Sequence, residues 1–101
     1  RLTAAQRLAD HFACTVLLKG SGSVIAAPGR TPHINLTGNA RLATAGTGDV
    51  LAGMVGASFA SGLQAFNAAC NSVFHHGRIA DEWKQTHPGE ALTASKLAAS
   101  I

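Results

Sequence analysis

The sequence predicts an α/β layered domain with a β-hairpin at the edge of its sheet. Three observations carry this expectation. An unbroken apolar run, Cys14-Thr-Val-Leu-Leu-Lys19, follows a helical opening segment. Two more short apolar segments flank Ala27-Pro28-Gly29-Arg30, with proline and glycine in the order a type II turn requires. A later long segment steps its apolar residues by three and four, the spacing of a helix face.

Taken in chain order, Thr3 followed by Gln6 is a capping-box pattern and predicts a helix over residues 3–13. The run Cys14–Lys19 lacks polar alternation, so it predicts a strand covered on both faces, as in a parallel sheet. Gly20-Ser-Gly-Ser23 breaks it. Val24–Ala27 and His33–Thr37 are the expected arms of the hairpin. Residues 38–48 carry three glycines and no apolar period, which predicts a loop. A helix should follow over about 49–61. Its Gly53 and Gly56 each disfavour helix by roughly 1 kcal/mol against alanine, so close packing is the expected return. The last long helix is expected over Leu63–Gln85, with Leu63, Phe66, Cys70, Val73, Gly77 and Ala80 as its apolar face. His87-Pro88-Gly89 should end it, and Thr93 is placed to cap a short final helix. Met54, Phe59 and Trp83 read as packing residues.

At 101 residues the chain is at most one domain, and 47% hydrophobic composition suits an ordinary globular core. It lacks an initiating Met and opens almost directly on a helix start, as a piece of a longer protein would. The net charge of +3 comes from basic residues scattered along the chain, which argues against a nucleic-acid stripe and suits one anionic ligand. With no Tyr and only five aromatics, a base-stacking platform is not expected either. Cys14 and Cys70 are isolated, without ligand spacing, and read as reduced thiols of a cytoplasmic protein. The longest apolar stretch is shorter than the ~20 residues that span a bilayer, so no membrane segment is expected.

Two loops carry the chemistry. In Gly46-Thr47-Gly48-Asp49, the glycines let backbone N–H groups turn inward, and the following helix adds its positive dipole end. Together these suit a phosphate or developing negative charge. Asp49 would be awkward beside an anion unless it takes a proton from a reacting hydroxyl; the plainer reading makes it a favourable first-turn helix residue. Local chemistry leaves both open. Lys19-Gly20-Ser21-Gly22-Ser23 follows a strand directly, where open α/β sheets place phosphates; the plainer reading is a turn with an exposed lysine. His75 should point to solvent and His76 should flank the apolar face as a hydrogen-bonded packing residue. Neither has the spacing of a metal site, and Arg78 and Glu82 read as a surface pair.

The sequence resembles the C-terminal part of the NAD(P)H-hydrate dehydratases, ribokinase-like enzymes related to carbohydrate kinases. The resemblance rests on Lys-Gly-x-Gly, the hairpin, Thr37-Gly38-Asn39, and the string Leu42-Ala-Thr-Ala-Gly-Thr-Gly-Asp-Val-Leu-Ala-Gly53. His76-Gly77, Ala80-Asp81 and Leu92-Thr-Ala-Ser-Lys-Leu97 extend it over nearly all 101 residues. It implies part of a three-layer α/β/α fold, with residues 1–101 as its C-terminal portion and the N-terminal half absent. The implied reaction returns hydrated NADH or NADPH to the reduced cofactor, with ADP or ATP consumed and Mg2+ accompanying the phosphates. By similarity, Lys19, Gly20, Ser21, Gly22, Ser23, Asn39, Gly46, Thr47 and Gly48 would hold the nucleotide. Asp49 would contact the hydrated ring and act as the base, the ring hydroxyl taking a phosphoryl group and leaving as phosphate.

An NAD(P)H-hydrate epimerase, fused or separate, is the partner this resemblance implies, and an exposed sheet edge would invite self-association. Arg41 stands where many relatives carry a small residue; it reaches a phosphate or points to solvent. Two other functions stay open on the sequence alone. One is a ribokinase-like kinase acting on an alcohol of a vitamin precursor or sugar. The other is a non-catalytic nucleotide-binding fragment.

Overall fold

The structure is a computed structural model describing residues 1–101. Helix α1 (Leu2–Phe12) leads into strands β1 (Val16–Leu18), β2 (Val24–Ala26) and β3 (His33–Ile34). A 3-10 turn at Ala40–Leu42 precedes α2 (Thr47–Ala60), α3 (Ala65–Thr86) and α4 (Ala94–Ala99).

The three strands form one antiparallel sheet in the order β1-β2-β3. The expected parallel arrangement is therefore not found within this chain. What the unbroken apolar run did report correctly is two-sided cover. Val24 and Ala26 turn to one face and pack on Ala5 and Ala9 of α1, with Val16 and Leu18 beside them. Ile25 and Leu17 turn to the other face and meet Leu51 of α2 and Ala69 and Val73 of α3. A strand's period of two thus produces a helix–sheet–helix sandwich. The turn between β2 and β3 is as expected. Arg30 N–H donates to Ala27 O at 3.3 Å, and Gly29 takes φ +71°, which the third position of a type II turn requires.

Several boundaries and contacts differ from expectation. The capping box at Thr3 does not form: Arg1 is the N-cap, and the Gln6 side chain instead reaches Asp10 and the Ala27 carbonyl. Helix α2 begins at Thr47, two residues early, because Gly46 at φ +88° supplies the left-handed residue that turns the chain into it. Gly53 and Gly56 touch nothing within 4 Å where a Cβ would stand, and Phe59 is exposed, so this face of α2 is unpacked. Leu63 lies outside α3 and is exposed. The buried face of α3 also takes in Ala68, Ser72, His76 and Ile79, broader than the expected stripe, because the helix packs on several elements at once. Thr93 caps α4 as expected, its Oγ1 accepting from Lys96 N–H.

Candidate functional site

The loops at Lys19 and Gly48, distant in sequence, meet at one end of the sheet. A Cβ on Gly48 would stand 3.1 Å from Lys19 Nζ, so the ammonium lies against the first turn of α2. The amides of Gly48 and Asp49 find no acceptor in the chain, as expected of a helix start. The Lys19 ammonium and the start of α2 at Gly48, the positive end of its dipole, thus border the same space, a cavity of about 760 Å³. Lys19 through Ser23, Asn35 to Ala40, Thr47 and Gly48 contribute to its wall, with His76 and Gly77 at the back.

The predicted residues play different parts. Ser23 is buried and ties its own loop, its Oγ donating to Gly20 O at 3.0 Å and accepting from Gly20 N–H at 3.2 Å. Thr47 is also buried, donating to Leu42 O and Thr44 O. Ser21 and the two loop glycines are exposed; the Gly20 backbone is engaged by Ser23, while the N–H groups of Ser21 and Gly22 have no acceptor in the chain. Asn39 accepts from Arg41 N–H at 2.9 Å and donates to Asp81 at 3.0 Å, so both ends of its amide are engaged in shaping the wall. Gly46 turns the chain just outside the cavity. Asp49 is exposed, makes no capping bond, and sits one residue past the cavity wall. Arg41 neither reaches the cavity nor points freely to solvent: its guanidinium donates to Glu90 O at 2.7 Å and pins the 3-10 turn.

Sequence reasoning underrated the back wall. His76 is buried, and its Nε2 lies 2.9 Å from the Thr47 carbonyl, so the ring holds the start of α2 by donating that proton. Burial is the chief influence on its pKa and lowers it; the Thr47 bond opposes this, and the Lys19 charge lowers it further. The ring is therefore neutral in the folded protein, and its native pKa lies below its unfolded value. Stability from this group is present above the unfolded pKa of about 6.5 and is lost as pH falls through the native value. Melting temperature measured against pH should drop on acidification from pH 7, and His76→Gln should flatten that part of the profile. His75 points to solvent and Arg78 pairs with Glu82 at 3.1 Å, both as expected.

No three His, Cys, Asp or Glu side chains cluster as metal ligands. Any magnesium would need phosphate oxygens and water for its shell.

The sequence model of the NAD(P)H-hydrate dehydratase family matches residues 1–101, the whole chain. This chain belongs to that family. The bifunctional NAD(P)H-hydrate repair enzyme Nnr of Mycobacterium leprae is 51% identical over 103 residues, covering 100% of this chain and 22% of that protein. The ADP-dependent (S)-NAD(P)H-hydrate dehydratase of Neisseria meningitidis is 40% identical over 101 residues, covering 100% of this chain and 33% of that protein. The chain thus spans a third or less of these relatives. Among solved structures, the ADP/ATP-dependent NAD(P)H-hydrate dehydratase of Bacillus subtilis, co-crystallised with ATP and Mg2+, superposes with a TM-score of 0.90 at 34% identity. That match covers 99% of this chain and 36% of the B. subtilis chain. The fold is accordingly part of the larger dehydratase fold, as the sequence led one to expect.

Proposed function

We propose that this chain is the nucleotide-holding, C-terminal portion of an enzyme that restores hydrated NADH or NADPH at the expense of ADP or ATP. The observation that carries the reading is the convergence of Lys19 with the first turn of α2 in a family whose named members perform this repair. Of the readings open on the sequence, membership of that family favours this one over a vitamin or sugar kinase and over a non-catalytic module.

Lys19 and the backbone N–H groups of Ser21 and Gly22 would hold phosphates from one side, and the start of α2 at Gly48 from the other. The nucleotide supplies a phosphoryl group to the ring hydroxyl of the hydrated cofactor. That oxygen then leaves as phosphate while the adjacent ring carbon loses a proton and the double bond reforms. Asp49, exposed beside the cavity, accepts the proton from the ring hydroxyl of the hydrated cofactor. Amides fixed before the reaction stabilise the charge on the transferring group without reorganising. Asn39, Thr47 and Ser23 keep the walls in place.

The outer edge of β1 has no neighbouring strand, and Ala52, Gly53, Gly56, Ala57 and Phe59 of α2 are exposed. In the full-length protein we assign these surfaces to the rest of the dehydratase domain, which would also complete the hydrate pocket. A fused or separate epimerase fits the same reading, given that the M. leprae relative is bifunctional. No helix is long and apolar enough to cross a membrane, which accords with a cytoplasmic enzyme.

The test is nucleotide titration of the full-length parent with Lys19→Met beside it. Loss of a charged hydrogen-bonding partner should weaken ADP or ATP binding by about tenfold or more, from roughly 1.5–3 kcal/mol per bond. Equal affinity in both proteins would remove Lys19 from the site. Phosphorylation of small alcohols by the parent would turn the reading toward a kinase.

A further inference from the structure

The wall segment Thr37 to Leu42 has no regular structure of its own beyond a single 3-10 turn, yet it forms one side of the cavity. Arg41 pins its 3-10 turn to Glu90 O, and α3 holds the rest. Thr37 Oγ1 donates to Phe74 O at 2.9 Å, and the backbone of Thr37 and Gly38 lies directly on Gly77. One turn further along α3, the half-buried Asp81 receives two bonds from consecutive residues of the wall. Gly38 N–H donates to Oδ2 at 3.0 Å, and Asn39 Nδ2 donates to Oδ1 at 3.0 Å. The Asn39 oxygen left over accepts from Arg41 N–H and starts the 3-10 turn. No cation pairs with Asp81, so the carboxylate is spent wholly on two neutral donors.

We propose that Asp81 is a positioning residue for the nucleotide side of the site, acting through Gly38 and Asn39 to fix the cavity wall. This rests on the nucleotide-holding role proposed above. A carboxylate suits the task because it alone among side chains offers two acceptor oxygens and no donor. The two donors differ in kind, one backbone and one side chain, so the pair fixes both the path of the segment and the rotamer of Asn39. A residue so placed touches neither nucleotide nor hydrate. Its loss should therefore act on one substrate and not the other.

The expected result in the full-length parent follows from this chemistry. Asp81→Asn keeps the shape and can still accept from Gly38 N–H, but it turns an amide donor toward Asn39 Nδ2. The nucleotide KM should rise about tenfold, from loss of a charge-assisted bond, while the KM for hydrated NADH stays unchanged. Amide exchange at Gly38 and Arg41 should quicken by a similar factor, about tenfold. The double exchange Asn39→Asp with Asp81→Asn restores all three pairs, reversing donor and acceptor only between the two side chains, and should return the slow exchange at those amides. Equal rises in both KM values would show a general defect and overturn the proposal. So would unchanged exchange at Gly38 in a folded Asp81→Asn protein, or a double variant whose exchange stays fast. If Asp81→Asn does not fold, the double variant alone decides by its exchange. A parent that binds neither ADP nor ATP would defeat the nucleotide reading, and the exchange measurements would still judge whether Asp81 holds the wall.

Discussion

Asp49→Asn in the full-length parent should abolish nucleotide-dependent recovery of NADH from its hydrate while leaving ADP and ATP binding intact. A positioned general base is worth about 10²–10⁴ in rate, so turnover should fall at least a hundredfold. The structure sharpens this expectation. Asp49 makes no capping hydrogen bond, is exposed, and lies beside the cavity instead of lining it. Its contribution to helix stability is then limited to a favourable charge in the first turn, about 0.3–1 kcal/mol. Melting of the variant should stay close to that of the parent. A cap, by contrast, would lose stability and keep its turnover. If Asp49→Asn melts several degrees lower with activity preserved, the carboxylate is only a helix residue.

The second large effect is expected at Gly77. A Cβ there would meet the Thr37 side chain and would lie 2.6 Å from the Thr37 carbonyl carbon and 2.8 Å from Gly38 N. Backbone on both sides leaves no flexible atom to yield, so either α3 or the Thr37–Gly38 segment must shift. Overpacking of this kind destabilises by about 1–3 kcal/mol. For a domain of 150–250 residues that is a fall of roughly 2–4 °C in Tm per kcal/mol. The displaced segment is also the cavity wall that Asp81 holds, so nucleotide affinity should fall together with Tm in Gly77→Ala. Calorimetry and nucleotide titration on the one variant check both. An alanine accepted without change in either would mean that the close approach of helix and loop is not maintained in solution.

Much of the fold was legible because local chemistry decided it. Pro28-Gly29 specifies its turn without help from the rest of the chain, and Thr93 caps α4 through its own hydroxyl. The sheet was legible only in part. An apolar run reports that both faces of β1 are covered, but cover by α1 on one side and α2 with α3 on the other does not reveal strand direction. The expected packing of Gly53 and Gly56 has no counterpart among these residues, since nothing in the chain approaches that face of α2. The close-packed glycine is Gly77, which stood in the predicted stripe without any sign that a loop 39 residues earlier would lie on it. Phe59 shows the same limit: an aromatic in an apolar helix reads as core until the neighbours are known.

The site divides in the same way. Its two loops were legible, because a lysine after a strand and a glycine turn before a helix each carry their own anion chemistry. That Lys19 Nζ would come to rest beside Gly48 was not, since it depends on how β1 and α2 pack. His76 was weighed correctly as a packing residue, yet its partner, the Thr47 carbonyl, makes it a brace of the glycine turn. Asp81 went without a role because its donors, Gly38 and Asn39, lie more than forty residues earlier.

The most direct test of the account follows reduced-nicotinamide absorbance as the full-length parent acts on hydrated NADH, with ADP, with ATP and with neither. Recovery should require a nucleotide and disappear in Asp49→Asn. A folded parent that binds nucleotide yet restores no NADH under any of these conditions would contradict it.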